Sequence, residues 1–225
     1  QVNLSLRQDS VEKIVIENRE ILDLIGKSGT RYRSKAVIIT TGTFLNGLIH
    51  IGSSQVPGGR SSEPSSDKLS ACLLDLGFEI ARLKTGTSPR LNGRKINYDI
   101  LQAQEGDKHP TAFSFSTKSI QRPQVKCFIT HTNRSTHEII KSNLDRSPLY
   151  TGQIEAIGPR YCPSVEDKIT RFPDKERHQI FIEPEGLDTT EVYCNGISTS
   201  APFDVQEAMV HSIKGLEKTN ITRYG

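Results

Sequence analysis

The sequence predicts an α/β fold, and three observations carry that expectation. Short apolar runs of strand type recur between turns rich in glycine and serine. One of them, AVII at 36–39, is apolar throughout, as expected of a strand covered on both faces. Later segments open on helix-capping residues followed by apolar positions at helical spacing.

Taken in order, strands are expected at 2–6, 11–16 and 21–25, with a turn at Lys27, Ser28 and Gly29, a strand around Tyr32, and the buried strand at 36–40. That strand runs into Thr41-Gly42-Thr43, where a glycine permits close approach of a ligand or simply a tight turn. A glycine- and serine-rich loop at 52–62 contains Gly58-Gly59-Arg60, a composition equally suited to cradling a phosphate and to being a plain loop. A helix follows at 64–76, capped by Ser65 or Ser66, with Leu69, Cys72, Leu73 and Leu76 as its buried stripe and Gly77 ending it.

A strand is expected at 78–83, then the basic run 84–95 with a second Thr-Gly-Thr among Lys84, Arg90, Arg94 and Lys95. These residues suit an anionic ligand such as a nucleotide, a pterin tail or an RNA backbone; a solvated basic turn has the same spacing. Residues 102–124 read as a long loop or short edge strands anchored by Phe113 and Phe115. A strand at 125–130 leads into a helix with a Ser135/Glu138 capping box and Ile139, Ile140 and Leu144 on its apolar side. His131 and His137 flank that junction without metal-pair spacing, so a turn or surface role is expected. Strands at 179–182 and 192–193 bracket a turn holding Glu183 and Glu185, which read as solvated acids or an acid/base pair. Asp204, with Glu207 three residues on, is expected to cap a last helix reaching about residue 216, with Val205, Met209 and Leu216 inward.

The chain has 225 residues, 34% of them hydrophobic and 24% charged, which is enough for one large domain or two small ones. A net charge of +3 permits contact with nucleic acid without requiring it. Cys72, Cys127, Cys162 and Cys194 form no C-x-x-C pair, which argues against a zinc site or disulfide framework and for a reducing compartment. No apolar run of roughly 18 residues and no signal-peptide pattern occurs, so a cytoplasmic location away from membranes is expected. The chain opens in what reads as mid-strand and its one methionine is Met209, so it reads as a piece of something longer.

The run 158–172, GPRYCPSVEDKITRF, is the richest in chemistry. Ser164 caps a helix whose third residue is Asp167, with Val165, Ile169 and Phe172 on one apolar face. Cys162 then lies just ahead of a helix N-terminus, near Arg160, Lys168 and Arg171, where positive charge favours a thiolate. An inert, packed cysteine is the competing reading.

Several long strings together resemble the GidA or MnmG family, flavoproteins of tRNA wobble-uridine modification. They are KAVIITTGTFLNGLIHIG at 35–52, RLKTGTSPR at 82–90, ITHTN at 129–133, SNLDRSPLYTG at 142–152, the 158–172 run, HQIFIEPEGL at 178–187 and NGISTSAPFDVQ at 195–206. The resemblance implies part of a glutathione-reductase-type FAD-binding domain with an inserted strand-rich α+β domain. Residues 1–90 and 196–225 would belong to the former and 91–195 to the latter. It maps FAD contacts onto Val11 and Ser66. It maps a nicotinamide-dinucleotide segment onto Gly158, Pro159, Arg160, Tyr161, Cys162, Pro163, Ser164, Val165, Glu166, Asp167, Lys168, Ile169, Thr170, Arg171 and Phe172.

The same resemblance makes Cys162 the expected catalytic residue. It implies FAD and NADH as cofactors, methylene-tetrahydrofolate as one-carbon donor, tRNA as substrate, the GTPase MnmE as partner and a homodimer of the full-length protein. Ser88 stands where the family usually has a proline, a change expected to affect only loop stiffness. No G-x-G-x-x-G follows a first strand, so the chain by itself is expected to be inactive. Two other readings remain at this point: a related folate-dependent tRNA uridine methyltransferase, and a non-catalytic RNA-binding or dimerisation module.

Overall fold

A computed structural model describes residues 2–156, 158 and 162–225. The chain divides into two compact units, one of residues 1–50 and 54–82, the other of residues 51–53 and 83–225.

The first unit is built on an antiparallel meander of β1 (Val11–Glu17), β2 (Glu20–Gly26) and β3 (Arg31–Arg33). Glu17 pairs with Glu20, so Asn18 and Arg19 form a two-residue hairpin turn at φ 49° and 67°, the left-handed pair that a type I′ turn requires. Asp23 on β2 is buried and is held by Arg31 at 2.7 Å. Two short strands follow, β4 (Leu48–Ile51) and β5 (Ser54–Pro57). Helix α1 (Asp67–Asp75) then packs Leu69 and Leu73 against Ile14 of β1, with Val11, Leu24, Cys72 and Leu76 around them. The expected stripe and the stop at Gly77, φ 86°, are both present.

The strand expected at 36–40 is not formed. Residues 34–44 have no regular structure, and Ile38 is 88% exposed. The segments 2–6 and 78–83 likewise lack strand structure, with Val2, Leu6, Phe78 and Leu83 exposed. An apolar run encodes a need for cover, but a strand exists only when a neighbour takes up its backbone hydrogen bonds, and none of the described residues does so here.

The second unit is a six-stranded antiparallel sheet in the order β11-β6-β10-β9-β8-β7. Its strands are β6 (Arg90–Asn92), β7 (Gln102–Gln104), β8 (Cys127–His131), β9 (Gln179–Pro184), β10 (Glu191–Asn195) and β11 (Ile221–Arg223). Helices α2 (Arg134–Lys141), α3 (Val165–Arg171) and α4 (Phe203–His211) supply the other layer. Alternation along β9 and β10 turns Ile180, Ile182, Val192 and Cys194 inward, against Val165, Ile169, Ile140, Met209, Val210 and Leu216. This is the larger core.

Local details differ from expectation for identifiable reasons. Helix α2 starts earlier than expected: its capping box is Asn133 with Thr136, and Glu138 instead pairs with Arg134 one turn back. Helix α4 begins at Phe203 behind Pro202, so Asp204 is free to meet Arg146 at 2.9 Å and Glu207 accepts from Tyr224 at 2.7 Å. Phe113 and Phe115, expected as anchors, are fully exposed. His137, expected at a turn or surface, is buried on α2 with Nε2 2.8 Å from the Thr132 hydroxyl. Glu183 lies within β9 rather than in a turn.

Candidate functional site

Cys162, Pro163 and α3 are held between two other segments of the second unit, 84–88 and 196–199. The capping box expected at α3 is present. The Asp167 amide donates to Ser164 Oγ at 3.1 Å and the Ser164 amide to Asp167 Oδ2 at 3.2 Å. Val165 donates its amide to the Ser198 carbonyl at 2.8 Å, and Ser198 Oγ donates to the Pro163 carbonyl at 3.3 Å. Lys168 Nζ reaches the Gly196 carbonyl at 2.8 Å. Thr199 Oγ1 donates to Glu166 Oε1 at 2.6 Å, and the Thr199 amide donates to the Thr87 carbonyl at 3.1 Å.

Cys162 itself is half-buried, with Sγ 3.7 Å from the Thr85 hydroxyl. At Gly86 a Cβ would meet the Ser198 side chain at 3.3 Å, so the two segments approach closely there. The cysteine thus stands at the head of α3 beside Thr-Gly-Thr, the helix being fixed by contacts on both flanks.

The charges distribute differently from the sequence reading. Lys84 is 8% exposed at its side chain and paired with Asp167 at 3.6 Å, so it serves α3 rather than a solvent-borne anion. Arg90 is taken by Glu185 at 2.8 Å and lies over the Tyr193 ring at 4.7 Å. Glu183 accepts from Asn195 at 3.2 Å, so both acids of the expected acid/base pair have structural partners. Of the basic run, Arg94 and Lys95 remain exposed. Burial pulls the Lys168 ammonium below its ordinary range. Arg171 is mostly exposed and lies 3.6 Å from Asp167.

Among the other residues mapped onto a dinucleotide, Val165, Glu166 and Ile169 are buried, and Thr170 donates to the Glu166 carbonyl at 2.9 Å while meeting Tyr150 at 2.7 Å. Gly158 lies beside the aliphatic stem of Lys84. Phe172 does not join the apolar face: α3 ends at Arg171, and at φ −125° the chain leaves the helical path, so Phe172 is 56% exposed. Pro159, Arg160 and Tyr161 lie outside the described residues. Val11 and Ser66 belong to the first unit. Val11 packs beside the Ile14 cluster, and Ser66 occupies the N-cap position of α1 without its hydroxyl capping the helix.

The sequence does not reveal Thr85, Ser198 and Thr199 as neighbours of this segment, because periodicity carries no information about which loops meet. A separate cleft of about 860 Å³ opens in the same unit, walled by His131, Asn133, Arg134, His137, Lys175 and Arg177; Cys162 is not among its walls. Burial lowers the pKa of His131, His137 and His178 and raises those of the Cys127 and Cys194 thiols.

No helix of the described residues is long and apolar enough to cross a membrane. The sequence model of the family described as glucose inhibited division protein A matches residues 1–225. The tRNA uridine 5-carboxymethylaminomethyl modification enzyme MnmG of Thermodesulfovibrio yellowstonii is 56% identical over 223 residues, which cover 99% of this chain and 36% of that protein. The enzyme of the same name from Geobacter sulfurreducens is 54% identical over 223 residues, again 99% of this chain and 36% of its own. Aquifex aeolicus GidA in its form I crystal superposes with a TM-score of 0.88 at 49% identity, covering 100% of this chain and 38% of that one. The chain therefore spans about a third of the length of the curated relatives it matches.

Proposed function

The chain belongs to the glucose inhibited division protein A family, and from that premise we propose that it forms part of an enzyme modifying uridine in tRNA. The family match over residues 1–225, together with a relative named for that activity that matches over 223 residues, carries the reading. The modification is the installation of an aminomethyl or carboxymethylaminomethyl group at C5 of the wobble uridine. The enzyme is cytoplasmic, acts with the GTPase MnmE and works as a homodimer of the full-length protein. Residues 1–90 and 196–225 belong to a glutathione-reductase-type FAD-binding domain and 91–195 to its insertion, with α4 and β11 of the last stretch packing on the sheet and core of the second unit.

Cys162 is the proposed nucleophile. C5 of uracil is a weak nucleophile by itself. A thiolate adding to C6 would form a C–S bond and shift the C5–C6 electron pair toward C5, readying C5 to bond the methylene carbon that methylene-tetrahydrofolate would supply, with ammonium or glycine displacing tetrahydrofolate at that carbon to complete the aminomethyl group. Loss of the C5 proton and expulsion of the thiolate restore the ring. Its half-buried position supports this role, and the contacts of Ser164, Ser198 and Thr199 hold the backbone that carries it.

FAD and NADH supply reducing equivalents when bound, and methylene-tetrahydrofolate the carbon. Of an FAD site, these residues can supply an edge: Ser66, with a hydroxyl not spent on capping, opens α1, and Val11 lies on β1 of the same unit. The segment 158–172 is the proposed dinucleotide contact: Ser164, Val165, Glu166 and Ile169 are buried, Arg171 and Phe172 are exposed, and Gly158, Cys162, Pro163, Asp167, Lys168 and Thr170 are partly exposed.

The test is Cys162→Ser in the full-length protein, with modified nucleosides quantified by mass spectrometry. Loss of the C5 product with unchanged circular dichroism is expected. Retained product removes the cysteine from the mechanism. A C5-methyl product from the unsubstituted enzyme would assign it to methyl transfer instead.

A further inference from the structure

We propose that Phe113 and Phe115 form a stacking platform for unpaired bases of an RNA loop, an inference that rests on the tRNA reading and locates part of its binding surface. Residues 105–126 leave the sheet between two paired strands, since Gln104 of β7 is opposite Cys127 of β8. Glu105 and Lys126 close the neck of this excursion at 3.6 Å. At its far end Phe113 and Phe115 have relative exposures of 107% and 111%, so neither ring is covered by any of the described residues. Both ring faces are open to a partner that offers flat apolar surface.

The local geometry and charge indicate which occupant. The Thr117 amide donates to the Ser114 carbonyl at 3.2 Å, the Ser116 amide to Ser114 Oγ at 3.3 Å, and the two serine hydroxyls meet at 2.9 Å. The backbone joining the two rings is therefore folded into a turn. Lys108, His109, Lys118 and Arg122 in the same segment are exposed, against Asp107 and the ion-paired Glu105. Flat aromatic faces flanked by cations match a single-stranded nucleic acid, whose bases stack while its phosphates meet the lysines and arginine. An intact duplex presents no free base faces, and a protein interface favours a core from which flanking charge is depleted.

The test uses the full-length protein and fluorescence anisotropy with two probes: an anticodon stem-loop RNA and a blunt duplex of equal length. Phe113→Ala and Phe115→Ala are expected to weaken stem-loop binding, each by roughly 5- to 150-fold, the range for loss of one base-stacking contact. The slope against salt should not change. Trp at either position should restore affinity, and Lys118→Ala with Arg122→Ala should make the salt dependence shallower. Unaltered stem-loop affinity in the double alanine variant overturns the platform while leaving the tRNA reading intact. A changed oligomeric mass or lowered thermal midpoint in that variant also overturns it, because the rings would then be covered by protein. Failure of the unsubstituted protein to bind the stem-loop overturns the tRNA reading, and the platform with it.

Discussion

Thr199 donates its hydroxyl to the buried carboxyl of Glu166 across 2.6 Å, while its amide bonds the Thr87 carbonyl. One residue thereby fastens the first turn of α3 to the Thr-Gly-Thr segment that touches Cys162. Glu166 is 2% exposed and its second oxygen, Oε2, has no hydrogen-bond partner among the described residues, so the threonine hydroxyl is its one side-chain donor there.

Thr199→Val should therefore destabilise the protein by about 1.5–3 kcal/mol, the cost of losing a hydrogen bond to a buried acidic group. Thr199→Ser should recover most of it. Urea denaturation measures both; a valine variant as stable as the parent would show that Glu166 is satisfied otherwise.

Ser88 leads to the opposite expectation. It is 0% exposed, and its hydroxyl is buried with no partner among the described residues. Ser88→Ala removes a polar group that folding strips of water, so stability should stay level or rise by about 1 kcal/mol. A fall larger than that in a thermal or urea melt would mean the hydroxyl is hydrogen-bonded after all.

The histidines set an acid limit. Burial lowers the folded-state pKa of His131, His137 and His178, whereas the unfolded chain takes up these protons near about pH 6.5. Below that pH the unfolded state binds more protons than the folded one, so stability declines as pH falls toward the lowered values and is fully present above about 6.5. Melting at pH 7.5 and 5.5 should give a lower midpoint at the acid end, with a smaller drop in His137→Gln. Equal midpoints in the parent protein would remove the histidines as the cause.

Cysteine reactivity separates Cys162 from Cys194. Cys194 is 0% exposed in the sheet core, and desolvation pushes its thiol well above the ordinary range, whereas Cys162 is half-buried. Iodoacetamide under native conditions, read by peptide mass spectrometry, should label Cys162 and spare Cys194 until denaturant is added. Labelling of both at one rate would contradict the packing of β10.

Much of this was legible in the chain itself. The α3 capping box, the α1 stripe and the strands around Ile14, Ile182 and Val192 follow from side-chain periodicity and capping chemistry, which act over a few residues. The Cys162 segment stood out through its own composition, and the strings shared with the family identified its kin. Tertiary structure alone decided which segments meet. It placed Thr85 and Thr199 beside the cysteine segment, turned Lys84 inward to Asp167, buried His137 and left Phe113 and Phe115 bare. It also left 36–40 without a strand, since apolarity along the chain specifies that a segment should be covered while only a hydrogen-bonding neighbour makes it a strand. Local rules act through bonds and turns; partners far apart in sequence are chosen by the packing of the whole.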